Sequence, residues 1–265
     1  MRPSLVSSLL LVLTGALMAA PILREAPNLG ATPANQLVVS GNACGPTALL
    51  NAFRFGNSDW QRVAKSIDGN TDKEKIYRII REVGMRPSAH FKNRPRWSRN
   101  GVNLADLCDI GNEVARGKYL PLINQEVLFR KPNETQENLL KRIHQRLETS
   151  LNKGLPPIIS LRRYALRNTS GKMAWVILDA HFVTLTAIPR TLGKNEKSFA
   201  VTYIDPWGGK IRYGTIAIAE RGILADDSQS SPCLEAVFPQ AIVGKSLVKP
   251  GEFHALTIAA TLGRW

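Results

Sequence analysis

Thiols and imidazoles are scarce in this chain: 265 residues hold three cysteines and four histidines. Cys44, Cys108 and Cys233 lie far apart, which excludes a CxxC redox pair and a cysteine zinc cluster. Three of the histidines, His90, His144 and His254, are scattered over different segments, with His144 expected on the polar side of a helix, so no metal centre is expected. An odd cysteine count leaves one thiol over if the other two pair. Cys108 with Cys233 is then the bridge to expect, two buried free thiols being the alternative. Acids are also in deficit, 21 Asp and Glu against 35 Lys and Arg, a formal charge of +14. Such a field favours anionic surroundings, among them the polymers and headgroups of a cell envelope. Nucleic acid is not an expected partner, because zinc-ligand spacing, an aromatic strand motif and a basic recognition helix are all missing. Beyond residue 20 no apolar run approaches the roughly twenty residues of a spanning helix.

What is present is enough for one compact domain, with 44% hydrophobic and 21% charged residues. Residues 1–20 combine a basic start at Arg2 with an apolar run from Leu5 to Ala20, then Pro21. That is the pattern of a secretory signal peptide, with an uncleaved N-terminal anchor as the other reading, and it predicts a secreted or periplasmic protein. Residues 21–36, rich in Pro, Ala and Asn, read as a linker, and 37–265 as the domain.

Within that domain the first part has helical spacing. Apolar residues recur from Pro46 to Phe53, with Pro46 in the first turn. Helix starts follow at Ser58 with Gln61 and at Thr71 with Glu74. Further helices are predicted over Leu104–Arg116 and Glu134–Asn152, the latter stopped by Gly154. The period then changes to short β-type runs at Pro157–Leu161, Met173–Leu178, Phe182–Ile188, Phe199–Ile204 and Lys210–Tyr213, with a last one at His254–Thr261. Helices first and an antiparallel sheet second predict an α+β fold in two lobes with a cleft between them.

Three short segments carry chemistry. Asn42-Ala43-Cys44-Gly45-Pro46-Thr47 puts a cysteine at a helix entrance, where the dipole and unpaired N–H groups favour a thiolate nucleophile. Gly45 leaves room for an incoming substrate. His181 interrupts an apolar β-run, where an unpaired imidazole would be costly. The next strand ends in Asp205-Pro206-Trp207-Gly208-Gly209. Each piece alone has an ordinary explanation: a buried small residue, a structural histidine, a turn. If the two strands are neighbours, Asp205 holds one ring nitrogen of His181 while the other faces Cys44, giving nucleophile, base and orienter. A basic stretch from Arg86 to Arg99, carrying Lys92, Arg94, Arg96, Phe91 and Trp97, reads as a surface loop or as a lid over an anionic substrate.

These segments together resemble the papain-like cysteine peptidase superfamily, and within it the bacteriocin-processing, double-glycine-type peptidases. The resemblance implies a papain-like fold, a helical lobe followed by an antiparallel β-sheet lobe with the active site in the cleft between. It also implies acyl transfer to water without a cofactor, with Cys44 as nucleophile, His181 as general base, Asp205 as orienting acid and Trp207 shielding the histidine. The substrate so implied is a peptide or isopeptide bond in a peptide or protein. The sequence departs from the family at one point: the oxyanion-stabilising glutamine expected six residues before the cysteine is Val38. Gln36 or Asn42 is left to supply that amide, Gln36 being favoured. A catalytically blunted binding domain, or an amidase or transferase acting on cell-wall peptides, are the alternative readings.

Overall fold

The computed structural model describes residues 21–219 and 234–265. The expected signal peptide and Cys233 lie outside the described residues. Among those described, the chain is mixed α/β, with five α-helices and a large antiparallel sheet.

Chain order begins with a strand, β1 (Leu23–Glu25), followed by helix α1 (Cys44–Phe55). Every α1 residue except Arg54 is buried, so this helix has no solvent face and forms the centre of its lobe. Helix α2 (Ser58–Ser66) starts one residue earlier in its capping than Ser58 suggested. Asn57 is the cap, its Oδ1 accepting from the Asp59 and Trp60 amides. Helix α3 (Asp72–Ile79) opens on the expected Thr71 and Glu74 capping box and runs into a π-turn at Ile80–Gly84. The short strands β2 (Trp97–Ser98) and β3 (Gly101–Val102) form a separate hairpin before α4 (Leu104–Val114), which Asn103 caps.

Strand β4 (Asn124–Val127) precedes α5 (Gln136–Asn152), which is capped by Thr135 and stopped at Gly154, where φ is +83°. Then come β5 (Ile158–Thr169), β6 (Lys172–Pro189), β7 (Ser198–Asp205), β8 (Lys210–Ile218), β9 (Leu234–Val237) and β10 (His254–Gly263). Their order is β1-β6-β5-β10-β9-β8-β7, and β6 also pairs with β7, so the strand sequence closes on itself. Two runs expected as separate strands, Met173–Leu178 and Phe182–Ile188, are one strand, β6, continuous through His181. The polar Asp179-Ala180-His181 interruption looked like a break, but β5 pairs with β6 across it, with a register shift at Arg163/Tyr164.

Two large apolar clusters result. One joins α1–α4 with Ile158, Phe182 and Leu262 of the sheet. The other lies within the sheet and includes Leu139, Leu140, Ile143, Leu147 and Leu151 of α5. Helix α5 thus covers the sheet instead of extending the helical lobe. His144 corrects the expectation of a polar position: it is 6% exposed, bonds Pro189 O through Nε2 at 2.8 Å and meets Phe199 edge-on. Burial holds its imidazole below the usual pKa.

The reading of 21–36 as a linker is also corrected. Leu23, Arg24 and Glu25 pair with Pro189, Ile188 and Ala187 of β6, the Asn28 amide donates to Phe55 O, and Ala34 is fully buried. Order therefore begins well before residue 37. Pro and Ala content suggested a spacer, but the tertiary contacts use this arm as a strap. No helix among the described residues is long and apolar enough to cross a membrane.

Candidate active site

Helix α1 packs against β6, and Thr184 Oγ1 donates to Ala48 O at 2.9 Å across that contact. This brings the helix entrance to the strand that carries His181. On β6's other side, Thr184 stands opposite Ile204 and Leu185 opposite Tyr203 of β7. The strands are neighbours, and Asp205, the last residue of β7, reaches His181.

His181 Nε2 and Asp205 Oδ1 are 2.8 Å apart, with both residues buried. The Trp207 amide donates to the same Oδ1 at 2.9 Å, so the turn after β7 fixes the carboxylate. With Nε2 so engaged, Nδ1 is the ring nitrogen left for Cys44, whose side chain interacts with the imidazole. Burial alone would pull the His181 pKa down. The hydrogen bond to the Asp205 carboxylate, together with the interaction with Cys44, outweighs it and raises the pKa to about 10.

Cys44 is the first residue of α1, and its N-cap, Ala43, has no side chain to cap the first-turn amides. The Gly45 expectation needs correction. A Cβ there would strike Val102, with Leu107 Cδ1 at 3.2 Å, so the missing side chain serves the packing of α1 on the β2–β3 hairpin and α4.

A cleft of about 470 Å³ opens beside this group, lined by Gln36, Asn42, His181, Asp205 and Trp207. Its wall also includes the segment Ile242–Gly244. That wall is tied down by the Gly244 amide, which donates to Asp179 Oδ2 at 3.0 Å, and by buried Arg163, whose Nε donates to Val243 O. Both candidate oxyanion amides therefore face the same cleft. Gln36 is 4% exposed, its backbone amide donates to Pro206 O at 2.9 Å, and its Oε1 is buried with no partner. Asn42 is braced through its main chain, donating to Arg99 O and accepting from Trp97 Nε1, each at 2.9 Å.

The basic stretch is for the most part an exposed surface loop, one of the two readings its sequence offered, and only its end at Trp97 and Arg99 braces Asn42. Trp97 is buried, Arg86 and Arg96 both pair with Glu113, and Arg94 lies over the Phe91 ring at 4.7 Å. His90 is also closer to other metal-ligand types than its isolation in sequence suggested: ligand atoms of His90, Asp106 and Asp109 lie within 4.8 Å of one another. Asp106 is already engaged there, accepting from Ser88 Oγ and Asn103 Nδ2. Cys108 is a buried free thiol donating to Ile123 O at 3.2 Å, and burial pushes its pKa up to about 11.

Two residues at the site were not singled out from sequence. Asn51, on α1, holds the backbone of Ala34, and Asn35 accepts from the Gly208 amide at 3.1 Å. A fully buried amide inside an otherwise apolar helix was the available signal for Asn51, since such a group must find a partner. Comparison with known protein families, with curated proteins and with solved structures yields no match for this chain.

Proposed function

We propose that the protein is an exported papain-like cysteine hydrolase that cleaves peptide or isopeptide bonds through a Cys44, His181 and Asp205 triad. The observation that carries this reading is the buried grouping in which the His181 imidazole bonds Asp205 at 2.8 Å while Cys44, itself buried at the start of α1, interacts with the same ring. A histidine with a pKa raised to about 10 is protonated at neutral pH and so holds the proton that the leaving amine requires. The basic, apolar leader supports export.

In the first half-reaction the Cys44 sulfur attacks the substrate carbonyl carbon and forms a C–S bond. The oxygen then carries the negative charge and faces the Cys44 amide at the uncapped start of α1. Gln36 is the side-chain donor, supported by its burial in the cleft and its tie to the turn that holds Asp205. His181 passes its proton to the leaving amine as the C–N bond breaks. In the second half, neutral His181 takes a proton from water, the hydroxide attacks the thioester, and Cys44 departs as thiolate. Asp205 keeps the ring oriented throughout. Trp207 and Ile242, 47% and 57% exposed, offer apolar rims on the cleft for substrate side chains.

Alkylation of Cys44 by iodoacetamide from pH 4 to 9, followed by mass spectrometry, tests the reading. Labelling already fast at pH 5–6, and lost in His181→Ala, is expected. Labelling that rises only near pH 8.5 and is equal in both proteins would leave a basic binding domain without an activated thiol.

A further inference from the structure

The nucleophile and the oxyanion amide sit on different chain segments, and the seven residues between them, 37–43, include the exposed Leu37, Val38, Ser40 and Gly41. That loop is braced at Asn42 by Arg99 and Trp97, and α1 adds a second tie, to the strap just before Gln36. Asn51 lies seven residues after Cys44, so the two share nearly one helix face about 10 Å apart along the axis. Its side chain is fully buried and grips the strap at both polar groups of one residue: the Ala34 amide donates to Asn51 Oδ1 at 2.7 Å, and Asn51 Nδ2 reaches Ala34 O at 3.4 Å. Ala34 is two residues before Gln36.

The opposite side of the strap is gripped by the turn that follows Asp205. Gln36 N donates to Pro206 O at 2.9 Å, and Asn35 Oδ1 accepts from the Gly208 amide at 3.1 Å and from the Leu37 amide at 3.0 Å. Gly209, at φ +60°, leaves no room for a side chain, because a Cβ would stand 3.0 Å from Pro33 O and 3.2 Å from Ala34 O. The strap at 33–36 is therefore clamped between the helix that carries the nucleophile and the turn that fixes the triad acid.

We propose that Asn51, seconded by Asn35, is a positioning residue that sets the Gln36 amide against the oxyanion formed at Cys44. This rests on the cysteine hydrolase reading above. It explains how a glutamine eight residues before the cysteine can still serve: the register of the strap on α1, not the length of the intervening loop, decides where its amide lies. A donor displaced by about 1 Å is expected to cost up to roughly 100-fold in rate, and its complete loss about 10² to 10³.

The test compares two reactions of the same sulfur. Iodoacetamide needs only the thiolate. Acyl transfer from p-nitrophenyl acetate passes through a tetrahedral oxyanion. In Asn51→Leu and in Asn35→Ala, alkylation at pH 6 should stay within about twofold of the parent, while acylation falls roughly 10- to 100-fold through kcat and not KM. In a Gln36→Ala background, where the amide is already gone, Asn51→Leu should have no further effect on acylation. Asn35 is only half-buried, so its variant tests the idea even if Asn51→Leu does not fold. Equal losses of alkylation and acylation would make Asn51 and Asn35 merely structural, and additive losses with Gln36→Ala would separate them from the oxyanion; either result overturns the proposal. If the parent protein itself shows no His181-dependent alkylation at pH 6, it is the hydrolase reading that fails.

Discussion

Replacing Asp205 by asparagine removes a charge while keeping size and an acceptor oxygen, so it isolates the electrostatic part of the site. Asp205 is 3% exposed, and its Oδ1 takes hydrogens from His181 at 2.8 Å and from the Trp207 amide at 2.9 Å. A hydrogen bond to an ionised partner contributes about 1.5–3 kcal/mol, against about 0.5–1.5 for a neutral pair. The imidazolium then loses about 1–1.5 kcal/mol relative to the neutral ring, and one pKa unit corresponds to about 1.4 kcal/mol. The His181 pKa, raised to about 10 in the parent, should therefore fall by about one unit in Asp205→Asn. Titration of the His181 Cε1 proton by NMR between pH 5 and 11 measures it directly. The sign for stability follows from linkage. A folded-state pKa above the ordinary 6.5 gives stabilisation that is complete below about pH 6.5 and is lost as pH rises through about 10. In Asp205→Asn that loss should be complete at lower pH in urea melts taken across the same range. An unshifted His181, or one titrating near 6.5 in the parent, would refute the charge-stabilised imidazolium.

Two predictions concern packing and capping instead of the charges of the candidate site. Gly45→Ala should destabilise the fold by about 1–3 kcal/mol, seen as a lowered melting temperature, because its methyl meets Val102 and Leu107 where α1 packs on its neighbours; an unchanged melt would show that this contact can relax freely. Thr71→Ala should cost about 1 kcal/mol in chemical denaturation by removing the α3 cap, yet leave Cys44 alkylation at pH 6 unaltered, since the capping box is exposed and neither Thr71 nor Glu74 lines the cleft.

The elements most legible in the sequence were those specified within a few residues. Thr71 and Glu74 announced α3, Gly154 ended α5, and short β-type runs marked most of the strands, because caps, left-handed turns and residue preference are local properties. Where the local pattern misled, a distant partner had overruled it. His144 has polar neighbours in sequence, yet the end of β6 supplies Pro189 O as its acceptor and so makes burial affordable. The Asp179-Ala180-His181 interruption did not divide β6, because pairing with β5 continues through it. The strap at 21–36 has the composition of a spacer, and only contacts with β6, α1 and the turn after β7 give it order.

The sequence by itself determined the inventory of the candidate site: a cysteine at a helix entrance, a histidine within an apolar strand, an acid at the end of the next, and amides at 36 and 42. Their convergence was decided by the tertiary structure. Cys44 and His181 are separated by most of the chain, and they meet only because an almost wholly buried α1 must pack on β6 while β6 pairs with β7. The same holds for Asn51, whose buried amide requires a partner that no local rule could name and that packing supplies in Ala34. Local chemistry dictates which groups are available, and the burial of long-range apolar surface dictates which of them touch.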